Sequence, residues 1–214
     1  MTMSQFRRAF SPRRNRAALR RLVRGVVGDR RGVAVVEFAM IFPALLAIYF
    51  GVVEVAQGVM ADRKVTQLNR ALADLTAQST SVSTTDVSNI FDAALSVMTP
   101  YTPSRAKMMI ASVVIDAAGT ARVCWSDHRN SAALARGSTV TLPTDLRVPN
   151  SSLIMAQASY EFEPVIGYLL TGSIRIGNTP IYMRPRAGKT GGTGNVEQVE
   201  RTGTSPTTPM CPGF

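Results

Sequence analysis

Hydrophobic positions change their spacing twice along this chain. From residue 33 to residue 61 apolar side chains occupy every face, and only Glu37 and Glu54 are charged. Those 29 residues would reach about 43 Å as a helix, enough to cross a hydrocarbon core of about 30 Å. All-round apolarity predicts a membrane span, because a core helix of a soluble domain shows a one-sided stripe. Beyond residue 61 such a stripe appears: Ala61, Val65, Leu68, Leu72 and Leu75 recur at three- and four-residue steps. The pattern predicts one helix over 33–78, with residues 62–78 forming a stalk. Its stripe is expected to pack on the domain's sheet, with a seam for a partner helix as the other use. Residues 79–85 read as a serine/threonine linker, and Thr85 as the cap of a helix beginning at Asp86. Val87, Ile90, Phe91, Ala94, Leu95 and Met98 would form its buried face, and Thr99-Pro100 would end it.

From about Lys107 the period shortens. Residues 108–116 and 121–126 flank Asp116-Ala-Ala-Gly119, which reads as a hairpin. Asp127, His128, Arg129 and Asn130 read as a polar loop, and residues 138–142 as a short strand. Residues 153–162 alternate, with Ile154, Ala156, Ala158, Tyr160 and Phe162 on one face. Residues 174–176 and 181–183 supply the last strand material. Four or five antiparallel strands against one or two helices predict an α+β head over 79–183. From Arg184 onward Gly, Thr, Pro and charge dominate, so residues 184–214 read as a flexible C-terminal tail.

Charge changes the picture of the N-terminus. The net charge of +10 suggests nucleic acid at first, yet residues 1–32 hold ten arginines and one acid, Asp29, which is 10 − 1 = +9. The other 182 residues carry 14 basic and 13 acidic side chains, or +1, so the body offers no basic nucleic-acid face. Ten arginines before the span, against Arg63 and Lys64 beside Asp62 after it, make 1–32 a cytoplasmic leader and translocate the head. A secretory signal peptide fits less well, since the basic region is long and no small-x-small cleavage pattern closes the run. An arginine-rich organellar transit peptide is a further alternative. The two cysteines, Cys124 and Cys211, allow one disulfide in an oxidising compartment or two free thiols.

Signatures of catalysis are weak. Gly188-Lys189-Thr190 has the end of a phosphate loop, but position 183 is Met where that motif needs Gly. Glu161 and Glu163 share one side of a strand beside Pro164, with no histidine nearby, and read as a solvated face. Ser126, Asp127 and His128 are consecutive and cannot converge as a triad. With His128 the single histidine, one copy cannot assemble the usual Cys/His zinc site. Trp125 reads as a packing aromatic. No enzyme, metal or cofactor is expected.

Inside the span, Pro43 removes a backbone donor and predicts a kink near 39–43. Glu37 is a carboxylate in an apolar run, costly at the bilayer centre unless it has a partner or lies near the interface. Gly51 and Gly58 flank Glu54 at helical spacing and could admit another helix closely.

The string Gly32-Val-Ala-Val-Val-Glu37-Phe38 resembles the processing site of type IV pilin-like proteins, in the Glu-Phe form of the tight-adherence (Flp) branch. Arg30-Arg31-Gly32, then Val-Glu37-Phe38-Ala and Phe42-Pro43-Ala-Leu-Leu, narrow the resemblance to the TadE/TadG-like pilus assembly family. Ala73-Asp74-Leu75 with Gln78, and Tyr160-x-Phe162-x-Pro164, add to it. This resemblance implies a pilin-like, single-pass protein of the bacterial inner membrane with a periplasmic head. A prepilin peptidase would cut between Gly32 and Val33. Glu37, with Phe38, would be the assembly contact, its carboxylate pairing with a neighbouring subunit's N-terminal amine. Implied partners are other pilins or pseudopilins, the pilus assembly machinery and the lipid bilayer. The alternative is a generic single-span protein with a periplasmic binding module, in which Glu37 has no special role.

Overall fold

The computed structural model describes residues 25, 32–164, 172–192, 194–203 and 210–211. The leader expected over 1–32 lies outside them apart from Gly25 and Gly32. Two units are distinguished, one ending at Val53 and the other beginning at Glu54. One helix, α1 (Val33–Ala77), contributes to both.

In the second unit, α1 buries Ala61, Val65, Leu68 and Leu72, with Leu75 packed against the same core. The stripe is therefore occupied by the chain's own sheet and unavailable as a seam. Strand β1 (Ser81–Val82) follows, then helix α2 (Thr84–Leu95). Its cap is Ser83 and not Thr85. The Ser83 hydroxyl accepts from the Asp86 amide, and the Asp86 carboxylate accepts from the Ser83 amide at 2.9 Å, a reciprocal box that Thr85 is placed too late to make. Val87, Ile90, Phe91 and Ala94 are buried along α2.

Strands β2 (Ala106–Ile115) and β3 (Ala121–Arg129) form the expected hairpin. The turn is held by Asp116, whose Oδ1 accepts from the Ala118 and Thr120 amides, while Gly119 takes φ +80°, which glycine adopts without a Cβ clash. β3 runs on through Asp127, His128 and Arg129, so these residues are strand and not loop. Cross-strand pairing jumps from Ser112↔Trp125 to Val113↔Val123, leaving Cys124 as the extra residue of a bulge. That is why Cys124 and Trp125, though consecutive, both reach the same core.

Strand β4 (Ser151–Phe162) pairs antiparallel with β2 over its length, from Ala106↔Tyr160 to Ile115↔Ser151. Its far side takes β5 (Ile174–Gly177) and then β6 (Ile181–Met183), giving a five-stranded sheet in the order β3-β2-β4-β5 with β6 also on β4. β5 passes very close to α1: a Cβ on Gly177 would stand 2.5 Å from Val65 Cγ1 and 2.9 Å from the Ala158 carbonyl oxygen. The fold is thus α+β, a long N-terminal apolar helix followed by a head built on a mostly antiparallel sheet.

Both faces of the sheet are covered. Met108, Ile110, Val114, Ile154, Ala156, Ala158 and Tyr160 share one core with α1 and α2. On the other face Met109, Ala111, Val113, Ile115, Leu153 and Met155 pack with Leu142, Leu134, Val140 and Leu146 from the irregular segment between β3 and β4. Residues 138–142 form no strand. They run along β3 through Val123 N–H to Ser138 O and Val140 N–H to Ala121 O, which covers part of that edge.

The flexible tail is the largest correction. Residues 189–201 contain β7 (Lys189–Gly191), β8 (Val196–Gln198) and β9 (Glu200–Arg201). β7 and β8 form a hairpin, and β9 lies parallel to β1, so the serine/threonine linker is partly strand as well. Val196, Gln198, Val199, Arg201 and Cys211 are buried. Few apolar residues order this segment; buried polar groups and a covalent bond supply the rest.

Surface carboxylates on the head are held by specific donors. Ser83 keeps Asp86 below its ordinary value, Arg129 does so for Asp92, and Lys107 for Glu161. Each folded-state value lies below the unfolded one, so each contributes stability above the ordinary carboxylate range and loses it as pH falls through the lowered value. The contribution of these carboxylates is expected to be constant from about pH 5 to neutrality and to be lost progressively below about pH 4. Urea unfolding across that range, read by fluorescence of the single tryptophan, Trp125, checks this.

Candidate functional site

The residues expected to act lie on the first half of α1. From Gly32 to Val52 every residue is exposed, including Val35 at 68% and Met40 at 77%. Apolar side chains therefore point in all directions around the helix, which is long and apolar enough to cross a membrane. Contiguous apolar surface of this kind is not stable facing water; hydrocarbon satisfies it, because the helix closes its own backbone hydrogen bonds.

Gly32 stands one residue before α1, with no atom near the position its Cβ would take, and Val33 opens the helix. Glu37 and Phe38 follow within the second turn. Phe38 packs on Phe42 one turn on, ring centroids 5.3 Å apart, so the two aromatics form one ridge beside the carboxylate. α1 continues through Pro43. Gly51 is open on its helix face. Gly58 is not: a Cβ there would meet the Phe162 ring at 3.9 Å, so it faces the chain's own β4. Glu54 is half-buried. Gly32, Val33, Glu37 and Phe38 therefore share neighbouring turns, whereas Gly58 belongs to the head's packing.

Cys124 and Cys211 are joined, with Cα atoms 5.8 Å apart and a sequence separation of 87. Around this bond lies a polar arrangement that sequence reading missed. The Gln198 side chain donates to the Cys211 carbonyl at 2.5 Å and accepts from its amide at 2.9 Å. Trp125 Nε1 donates to the Val199 carbonyl at 2.8 Å. Arg201, only 4% exposed, grips Asp127 through two nitrogens at 2.7 and 3.2 Å and also reaches the Val82 and Thr202 carbonyls. The available signal was Val196 and Val199 on either side of Gln198, two apolar residues too few to outweigh the surrounding composition. Glu161 and Glu163, read as a solvated face, pair with Lys107 and Arg105. Both carboxylates are thus engaged as ion pairs at the head's surface.

Comparison with known families gives one result that bears on this helix. Residues 32–74 match the family model of TadE-like protein. The TadE-like segment starts at Gly32 and takes in the exposed apolar run and most of the buried stripe. Comparisons with curated proteins and with solved structures find no match. A TadE-like segment on an apolar helix fits a membrane-anchored protein related to tight-adherence pili.

Proposed function

We propose that this chain is a minor pilin or pilus assembly protein of the tight-adherence type. It is anchored by α1 in the bacterial inner membrane, with the leader in the cytoplasm and the head in the periplasm. The observation that carries this reading is the coincidence of the TadE-like segment with a helix that is apolar on every face. The disulfide supports a head in an oxidising compartment, and ten leader arginines support a cytoplasmic N-terminus.

The protein works by association and not by catalysis. Glu37 and Phe38 form the assembly contact within the bilayer, where a carboxylate gains most from an opposite charge on a neighbouring subunit. A prepilin peptidase removes the leader between Gly32 and Val33, which leaves an amine four residues from Glu37 on each subunit. Pilins and the assembly machinery are its partners. Replacing Glu37 with Ala is expected to reduce surface pili about tenfold or more, as one buried ion pair is lost, without changing extraction from membranes. Unchanged pilus output in that variant would overturn the assembly role. N-terminal sequencing of membrane-purified protein is expected to begin at Val33, and an intact Met1 in cells with active peptidase would remove the processing step.

A further inference from the structure

The head carries a groove of about 730 Å³ where α1 emerges from its apolar run. One wall is the helix face of Gln57, Met60, Arg63, Lys64 and Gln67; the other is the turn through Thr99, Pro100 and Tyr101. The Tyr101 hydroxyl donates to the Gln57 carbonyl at 3.0 Å, and its ring packs edge-on against Tyr160, so the turn is fastened to the helix. Among the described residues the lining holds two cations and no carboxylate, and neither cation has an ion-pair partner. Asp62 lies two residues from both Met60 and Lys64, about 200° round the helix, and so faces away.

We propose that this groove seats the headgroup of an anionic phospholipid from the leaflet next to the head. The inference rests on the membrane reading of α1. Charge complementarity selects the ligand: Arg63 and Lys64 supply donors for a phosphate, and the guanidinium can bind it through two nitrogens. Continuity selects the source. Val59 and Met60 are exposed apolar residues at the end of the run, and the cations follow within one turn, the order of acyl chain and headgroup in a bilayer. Tyr101 adds an aromatic with an apolar body and a polar tip at the same level. A partner helix would need a carboxylate to meet two free cations, whereas an anionic lipid brings at least one negative charge to this depth.

The test uses the full chain in bilayer discs of phosphatidylcholine with a minority of phosphatidylglycerol. Benzoylphenylalanine replaces Met60 in one variant and Val55, an exposed residue of the apolar run about 140° round the helix, in another. After irradiation, adducts are identified by mass. Position 60 is expected to capture phosphatidylglycerol well above its share of the bilayer, and position 55 at about its share. Adding Arg63→Gln and Lys64→Gln is expected to cut the preference at position 60 about tenfold, as surface cations are what attract anionic lipid. The leader arginines are the same in every variant and so cancel. Capture at the bulk ratio, a preference that survives neutralisation of both cations, or an adduct to a second protein copy would each overturn the proposal. Membrane extraction of the same samples separates the two levels of inference. A chain released by carbonate ends both readings, while a chain retained in the membrane without lipid preference ends only this one.

Discussion

Changing Cys124 and Cys211 together to Ala is expected to destabilise the head by about 4.5 kcal/mol, the loop-closure value for a cross-link of this span. The bond closes 87 residues, so breaking it enlarges the unfolded ensemble considerably. Alanine is the right replacement. Both cysteines are at most 1% exposed, and a serine hydroxyl would add an unsatisfied polar group to the measurement. The loss should be uneven. β7, β8 and β9 hold few apolar residues and depend on the bond, on Gln198 and on Arg201, whereas β2 and β4 pair over their full length. Hydrogen exchange is therefore expected to rise first at Val196, Gln198 and Val199, while amides of β2 stay protected. Uniform exchange across the head would show that the tail is held independently of the bond. Unfolding in detergent by urea, read through Trp125, gives the magnitude. The same ring reports the locality, because its Nε1 donates to the Val199 carbonyl.

The elements legible in the sequence were those written in hydrophobic period. Ala61, Val65, Leu68 and Leu72 announce a stripe, and α1 extends from Val33 to Ala77 where a helix over 33–78 was expected. Ile154, Ala156, Ala158, Tyr160 and Phe162 alternate, and all five share one core. Period failed where order comes from polar groups. A composition count sees Gly, Thr and Pro around Gln198 and Arg201; it does not see that Gln198 holds both backbone groups of Cys211, or that Arg201 reaches Asp127 across 74 positions. Asp127 looked like loop chemistry because its partner is distant, and a charged residue on a strand is interpretable only with its partner known. The second core was hidden for a related reason. β2 reads as nearly continuous apolar residues, which fits a strand buried on both faces but does not say that an irregular segment supplies Leu142, Leu134 and Leu146 as its cover. At the proposed assembly site the legible part is chemical identity: a glycine, a carboxylate and an aromatic at fixed spacing. Gly51 and Gly58 looked equivalent by the same spacing, yet only the three-dimensional packing turns Gly58 toward Phe162.

Replacing Asp127 with Ala is expected to cost about 3 kcal/mol, the lower end of the range for breaking a buried ion pair from one side. The estimate follows from burial. Arg201 is 4% exposed as a side chain and Asp127 25%, so removing the acid leaves a guanidinium that water barely reaches. It sits at the lower end because Arg201 keeps three oxygens: Val82 O, Thr202 O and Thr84 Oγ1. Those same contacts tie β9 to β1 and to the start of α2, so the pair closes the C-terminal segment over the head from the side opposite the disulfide in sequence. Two charges in low dielectric are worth little against a well-packed apolar pair, and much against a lone charge. Arg201→Met combined with Asp127→Ala is therefore expected to be more stable than Asp127→Ala alone. The double-mutant cycle, by urea unfolding of the full chain in detergent, should give a coupling of about 2 kcal/mol. If the double variant is instead as unstable as the two single losses added, Arg201 acts through its carbonyl contacts and not through Asp127. The ordering of β9 would then rest on hydrogen bonds that carry no sequence signature beyond the arginine itself.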